Sequence, residues 1–376
     1  MTKVILSVTN DLFCDQRVEK TAETLAAMGC DVLLVGRCYR NSPLPNSGNY
    51  SVKRLHLFFR KGALFYAEFN FRLFLFLLFQ KCDILVSNDL DTLLPNLLIS
   101  KLRRKKLVYD SHEYFCGILE IQNRPNVKKI WQKIEKFCFP KLNNIITVSQ
   151  SIAEQYGKEY GKKVNVVRNI PRLLQTEYIH TRKSLQLPEN KFIIILQGNA
   201  IHKGRGGEEM VEAMTKIDNA LLLVIGQGDV IAEMKQMAKT LQIEERIMFI
   251  NRVAPQLLRN YTHLADLGVS FDQNLSLNHY FSLPNKIFEY IHAGVPVLTS
   301  NLPERKRIVE QYQVGIVIDN FSPTNIAKEI NKLIENKEII STYKENCRKA
   351  AQVLNWENEE KEIQKIYQPL ISSINE

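Results

Sequence analysis

No uncharged apolar run in this sequence reaches the ~20 residues that a membrane-crossing helix needs. The nearest approach, 63–79, is rich in Phe and Leu, but Glu68, Asn70 and Arg72 interrupt it, leaving Leu73–Phe79 as its longest uncharged stretch. It reads as a buried or half-buried helix, with a helix lying on a membrane surface as the sharper alternative. The seven cysteines (14, 30, 38, 82, 116, 138, 347) show neither C-x-x-C nor paired metal spacing. They resemble the scattered thiols of a reducing compartment, not a zinc site or a disulfide framework. No Ser-His-Asp order, H-E-x-x-H, Walker or G-x-G-x-x-G motif occurs, and no glycines follow the first strand, which argues against NAD binding there. A leader is not expected, since Met1-Thr-Lys runs straight into the strand-like Val4–Val8.

Acidic residues are scarce in the first half. Residues 1–175 carry 27 Lys+Arg against 15 Asp+Glu, a net of +12; residues 176–376 carry 23 against 25, a net of −2, which together make +10. A basic first half suits anionic lipid, nucleic acid or a polyanionic substrate. Arg103–Lys106 and Lys128-Lys129 also fit a solvated surface. No aromatic-interleaved motif accompanies them, so nucleic acid ranks last as a partner.

What is present is a long alternation of apolar runs and helical patterns. At 376 residues two domains are the default. Strands are expected at Val4–Val8, Asp31–Gly36, Val52–Phe59, Asp83–Ser87, Lys106–Tyr109, Asn144–Val148 and Val164–Val167. Helices are expected at 17–28, 63–80, 93–102, 127–139 and after Ser149. A Pro/Asn/Ser/Gly loop occupies 41–50, and 171–190 reads as a linker. A second series runs from Phe192–Leu196 through Ala220–Ile225, Ile247–Ile250, Leu267–Phe271, Val295–Leu298 and Val314–Ile318. Helices between them are expected at 207–214, 230–241, 256–261 and from Pro284, then at 324–336, with 338–376 helical throughout. This order predicts two consecutive doubly wound α/β domains of parallel strands, whose ligands bind beyond the strand carboxyl ends.

The stretch 278–300 organises the second series. Pro284 is placed to open a helix, Ile287, Tyr290 and Ile291 share its packed face, and Gly294 with Pro296 ends it. The unpaired amides around Asn285 and Lys286 offer an anion site, with the Lys286 charge beside it and Glu289 about one turn on. Gln197–Gly207 is a second phosphate candidate, following a strand and opening a helix, with its glycines for close approach and Lys203 and Arg205 as cations. Gly226-Gln-Gly228 is a weaker turn of the same kind. Asp89-Leu-Asp91 has the look of a metal-binding D-x-D, but Asp91 is as well explained as a helix cap, and no metal is expected. His112 follows a strand between Asp110 and Glu113, where it could hydrogen-bond a sugar hydroxyl or move a proton.

Together these stretches resemble a family 4 glycosyltransferase of GT-B architecture over nearly the whole chain. The resemblance implies two Rossmann-like domains facing across a cleft: 1–170 on the acceptor side, 191–354 for the nucleotide sugar, and 355–376 as a helix crossing back. The family's phosphate loop G-R-x-x-x-x-K-G corresponds to 197–207, with Asn199 at the Arg position, Arg205 at the Lys position and Lys203 two residues earlier. The family's E-x7-E corresponds to 281–289: Glu289 matches the ribose-binding Glu, and Phe281 stands at the first Glu. Ser282–Lys286 is similar to a subgroup variant that offers amides and Lys286 to phosphates.

On the same resemblance His112 contacts the donor sugar, and Asn10, Asp15 and Arg17 belong to the acceptor-side loop. Gly198, Asn199, Lys203, Gly204, Gly228, Arg252, Val253, Asn285 and Glu289 would bind the donor, and His112, Arg205 and Lys286 would be catalytic. The implied activity is metal-independent, retaining transfer of a hexose-type sugar from a UDP- or GDP-linked donor, with no cofactor. The acceptor would be a glycan or lipid-linked intermediate of surface polysaccharide synthesis. The protein would be cytoplasmic, peripheral at the anionic inner face of the plasma membrane. A sugar-nucleotide epimerase of the same architecture and a non-catalytic nucleotide-sugar-binding scaffold are the rival readings.

Overall fold

The computed structural model describes residues 1–12, 15–39, 48–173 and 178–375. Cys14, most of the loop expected over 41–50, and 174–177 of the expected linker lie outside the described residues. The chain divides into two compact units. The first comprises Met1–Asn169, Ser276–Asn278 and Glu357–Glu376; the second comprises Ile170–Leu275 and His279–Trp356.

Short Val/Ile/Leu runs that are apolar on both faces can be buried only in a sheet covered on both sides. In the first unit these runs are β1 (Lys3–Ser7), β2 (Asp31–Arg37), β3 (Ser51–Leu55), β4 (Ile84–Asn88), β5 (Lys106–Ser111), β6 (Asn144–Thr147) and β7 (Asn165–Val166). They form one parallel sheet in the order β3-β2-β1-β4-β5-β6-β7, in which Val4 pairs with Val32 on one side and Ile84 on the other. The intervening helices are α1 (Gln16–Ala27), α2 (Gly62–Phe79), α3 (Leu93–Leu102), α4 (Leu119–Gln122), α5 (Pro125–Cys138) and α6 (Gln150–Tyr160). Phe65, Phe69, Leu73 and Leu77, one stripe of α2, pack on Ile5, Val35 and Leu85 of the sheet.

The second unit repeats the plan with β8 (Phe192–Gly198), β9 (Ala220–Gly226), β10 (Ile247–Ile250), β11 (Leu267–Ser270), β12 (Val297–Ser300) and β13 (Gly315–Ile318), parallel in the order β10-β9-β8-β11-β12-β13. Its helices are α7 (Gly207–Ala213), α8 (Ile231–Thr240) and α9 (Pro255–His263), then, after the short α10 (Leu277–Phe281), α11 (Asn285–His292), α12 (Pro303–Tyr312), α13 (Pro323–Glu335) and α14 (Lys337–Ala351). Ile194, Leu196, Leu222 and Val224 enter one core, and their neighbours Ile193, Ile195, Leu221 and Leu223 enter another, the period-2 alternation of a strand buried on both sides. The last helix, α15 (Trp356–Asn375), returns the chain to the first unit.

Several elements depart from expectation, and the short α4 and α10 have no counterpart in the expected order. β3 ends at Leu55, not Phe59, because the Glu68 carboxylate takes the N–H groups of Phe58 and Phe59, which can then no longer extend a ladder. Helix α12 was not anticipated: its buried face includes Glu304 and Arg305, so polar residues hide the apolar period. The run 338–376 breaks at 352–355 into α14 and α15.

In both sheets the strand order reverses beside the first strand: β1 lies between β2 and β4, and β8 between β9 and β11. Loops leaving the carboxyl ends at such a point diverge and leave a crevice. Asn10 and Asp89 follow β1 and β4 there in the first unit, and Gly198 and Asp272 lie at the ends of β8 and β11 in the second.

Candidate functional site

In the second unit two loops leave β8 and β9 side by side. Ile201 N donates to Gln227 O at 2.9 Å. This approach explains the glycines: a Cβ on Gly226, at φ +139°, would sit 1.8 Å from Gly198 O, and one on Gly228 would sit 1.9 Å from Ile201 O. Gly204 and Gly206 are left-handed, and a Cβ on Gly206 would meet Phe271 at 2.4 Å. The loop therefore lies flat, with Asn199 and Lys203 exposed and Arg205 half-buried, its Nε 3.6 Å from Asp272 Oδ1.

Helix α11 presents the other half of this site. Pro284 is the cap (ψ 138°), not the first helical residue as expected, and Asn285 starts the helix. Ile287, Phe288, Tyr290 and Ile291 are buried, and the Tyr290 hydroxyl donates toward Ile195 O and Val269 O, pinning the helix to β8 and β11. Lys286 then lies close to Asp272. Burial pushes the Lys286 ammonium down to about 8, against the upward pull of Asp272. Glu289 Oε2 accepts from Gln197 Nε2 at 2.5 Å, and Gln197 Oε1 accepts from Thr262 Oγ1 at 2.7 Å. Burial raises the Glu289 carboxyl, with the Gln197 hydrogen bond and Lys286 opposing it. Arg252 is exposed and Val253 packs on the second core.

Two residues of this site were not anticipated, Asp272 and Arg305, and neither was the hold of Gln197, in the expected phosphate loop, on Glu289. Arg305 of α12 is fully buried; its guanidinium donates to Asp272 Oδ2 at 2.5 Å, to Ser282 Oγ at 3.1 Å and to Ser300 Oγ at 3.2 Å. Burial would raise the Asp272 carboxyl, but Arg305, Lys286 and Arg205 outweigh it and hold it low. Three cations therefore surround one carboxylate beside the amino end of α11, and even with Glu289 one turn on the cluster keeps a surplus of positive charge for an anion. Asp272 just past β11 could have been found from its place at a strand end. Nothing in the sequence marks Arg305.

In the first unit His112 follows β5 and is held from three sides. Its backbone N–H donates to Asp89 Oδ1 at 2.8 Å, its Nδ1 lies 3.6 Å from Asp89 Oδ2, and its Nε2 lies 3.2 Å from Asn88 Oδ1 and 3.7 Å from Asp110 Oδ2. Burial would lower its pKa, but Asp89 and Asp110 prevail and raise it to about 9. The two carboxylates therefore favour the protonated ring, which can donate hydrogen bonds from both nitrogens. Asp89 itself sits at φ 58° and ψ 170°, a strained conformation for a residue with a side chain. Burial raises its carboxyl, with Glu113 and Asp91 adding to the rise against His112.

The remaining candidates serve the fold. Arg17, expected at the acceptor side, is buried: it donates to both Asp110 oxygens, at 2.7 and 3.2 Å, and to Val167 O. Its guanidinium is thus committed inside the unit and holds the Asp110 carboxyl well below the usual range despite burial. Asp15 caps α1 through Val18 N and accepts from Asn10 Nδ2 at 2.5 Å. Asp91 caps no helix; it accepts from Thr9 Oγ1 at 2.6 Å, and burial raises its carboxyl to about 7. Asp89 and Asp91 are therefore engaged separately. Among the described residues no group of three or more His, Cys, Asp or Glu is arranged to hold a metal. Six of the cysteines are free thiols.

Two family models match the chain: "Glycosyltransferase Family 4" over residues 16–171 and "Glycosyl transferases group 1" over residues 178–352. Among curated proteins, an uncharacterized glycosyltransferase of Methanocaldococcus jannaschii is 22% identical over 73% of this chain and 71% of its own. The chitobiosyldiphosphodolichol beta-mannosyltransferase of Candida albicans is 24% identical over 62% of this chain, and the match takes in only 54% of that protein. Among solved structures, a sucrose-phosphate synthase from Thermosynechococcus elongatus superposes with a TM-score of 0.78 at 18% identity, covering 99% of this chain and 100% of that one.

Proposed function

Because the chain belongs to glycosyltransferase family 4 and has its two-sheet GT-B fold, we propose that it transfers a hexose-type sugar, with retention, from a UDP- or GDP-linked donor to a glycan or lipid-linked acceptor in surface polysaccharide synthesis. The observation that carries this reading is the surplus of positive charge on Arg205, Lys286 and Arg305 around Asp272, at the amino end of α11.

A departing nucleoside diphosphate gains negative charge as the bond from C1 of the sugar to the phosphate oxygen breaks. Preorganised cations and helix amides stabilise that charge most where water is excluded. Arg205 and Lys286 fill this role with the first amides of α11, at Asn285 and Lys286, and Lys203 adds a mobile charge at the loop tip. Glu289, fixed by Gln197 on one oxygen, accepts the ribose hydroxyls on the other. Gly198, Asn199, Gly204 and Gly228 let the backbone approach the phosphates, and the backbone at Arg252-Val253 reads the base. With these cations in place the reaction runs without metal or cofactor. His112, its protonated form favoured by Asp89 and Asp110, donates a hydrogen bond to a sugar hydroxyl. The acceptor proton passes to the leaving phosphate oxygen as the acceptor attacks from the same face. Asn10 and Asp15 shape the acceptor-side loop. The Candida relative, named for an acceptor carried on diphosphodolichol, supports a lipid-linked acceptor.

The test is a thermal-shift panel of UDP, GDP, ADP, CMP and NAD, each with and without EDTA, followed by NMR of the product anomer. One nucleoside diphosphate should stabilise the protein, EDTA should change nothing, and the product should keep the donor's configuration. Stabilisation that EDTA abolishes would sink metal independence, and an inverted anomer would sink same-face attack. Binding of donor with neither hydrolysis nor transfer would leave a scaffold in place of an enzyme.

A further inference from the structure

Helix α2 has two apolar faces, and only one of them is used. Phe65, Phe69, Leu73 and Leu77 are buried against the sheet. Leu64, Phe71, Leu75 and Phe79 repeat on the opposite side of the same helix and face outward, Phe71 at 64% exposure and Phe79 at 79%. Phe58, just before the helix, is 83% exposed; its loop is tied down by the Glu68 carboxylate, and Arg72 lies over its ring at 5.2 Å. Further exposed apolar side chains lie on neighbouring helices. α3 packs between α2 and α5, and Leu102 on α3 and Ile130 and Phe137 on α5 are exposed too.

A row of large apolar side chains exposed on one helix face marks an interaction site. Its surroundings say which. Lys61 and Lys81 flank the two ends of α2, Lys101 and Arg104 sit beside Leu102, and Lys129 and Lys133 lie on α5, all exposed. Of the carboxylates on or beside these helices, Glu68 is taken by Arg72 and two backbone N–H groups, Asp83 by Lys105, and Glu135 is buried and accepts from the Tyr160 hydroxyl, while Glu120 of α4 is exposed. Phenylalanine and leucine tips rimmed by lysine and arginine match the boundary between acyl chains and anionic headgroups. By length and composition α2 is also apolar enough to cross a bilayer, contrary to the reading of its uncharged run alone, with only 22% of it buried. It cannot cross while its inner stripe stays in the core, so it can only lie in the surface.

We propose that the outer faces of α2, α3 and α5, with Phe58, form a docking surface for an anionic lipid bilayer. This places the protein peripherally on a membrane whatever its chemistry, and it gives the proposed lipid-linked acceptor a reason to be within reach.

The test is flotation of the full chain with vesicles of phosphatidylcholine alone and of an equal mixture of phosphatidylcholine and phosphatidylglycerol, at low and high salt. The protein should float with the anionic vesicles, and high salt should release much of it. Phe71→Ser with Phe79→Ser should weaken partition about tenfold or more, since two insertion anchors are lost. Lys101→Glu with Arg104→Glu should weaken it independently, which keeps the test informative should the phenylalanine variant fold poorly. A melting curve checks folding of each variant. No flotation at low salt, or equal flotation of both folded variants, overturns the proposal. So does a wild-type dimer that the same substitutions dissociate, since the face would then be covered by a second copy. Flotation is read without donor or acceptor, so failure of the transferase reading leaves it standing, and the nucleotide-induced thermal shift on the same variants reports that reading separately.

Discussion

Lys286 keeps a charge where desolvation works against it, and that sets a pH dependence. Its ammonium titrates near 8 in the free protein, lowered by burial and supported by Asp272. Below that pH the charge is present for the diphosphate; above it the free protein has lost it, while the nucleotide remains ionised. Affinity for the preferred nucleoside diphosphate, measured by calorimetry, should therefore fall as pH rises from 7 to about 9. Lys286→Met should lose about 1.5–3 kcal/mol of binding, the range for a hydrogen bond to a charged group, and should flatten the pH profile. A variant with the wild-type slope would assign the titration to another group. Arg17 shows the reverse case at the same scale. Its neighbours in sequence made it look like a binding residue. The structure instead spends it on Asp110, a buried pair in which loss of one partner costs about 3–5 kcal/mol.

At the scale of elements, two glycines should answer an alanine substitution with opposite signs. Gly226 ends β9 with its missing Cβ aimed at Gly198 O, backbone against backbone, at a φ of +139°. Gly226→Ala must push the two strand-end loops apart, and a loss of about 2–4 kcal/mol in urea unfolding is expected, together with weaker nucleotide binding. Gly157 lies inside α6, where the nearest outside atom to a Cβ is Lys162 O at 3.6 Å. Gly157→Ala should stabilise by about 1 kcal/mol through helix propensity alone. Elements were legible in the sequence to the degree that their apolar period was clean. β8 and β9, with continuous Ile/Leu/Val runs, appear almost as read. α12 escaped because Arg305 points inward to a carboxylate on another element, and a local pattern carries no record of that partner.

For the molecule as a whole, the return of the chain matters most. After Trp356 it re-enters the first unit, where Ile363 and Tyr367 are fully buried and Glu359 takes Arg168 through its backbone N–H, Nε and a terminal guanidinium nitrogen. Ending the chain after Trp356 should remove about 3–6 kcal/mol from the first unit for the apolar surface of those two side chains alone. The expected outcome is early unfolding in urea with dye binding to the uncovered face. An unchanged unfolding curve would show that α15 contributes nothing to the first unit.

The sequence by itself determined the two parallel α/β units, the positions of nearly every strand, and the loops at 197–207 and 284–289, because each depends on residue types a few positions apart. Tertiary structure alone decided what those residues do with one another. It made Arg17 internal, set His112 between two carboxylates that favour its protonated form, and gathered Asp272 and Arg305 from two separate elements around Lys286 and Arg205. It also left one apolar face of α2 outside. Such outcomes depend on which strands lie side by side and how deeply a charge is buried, and these are long-range quantities that no local spacing encodes.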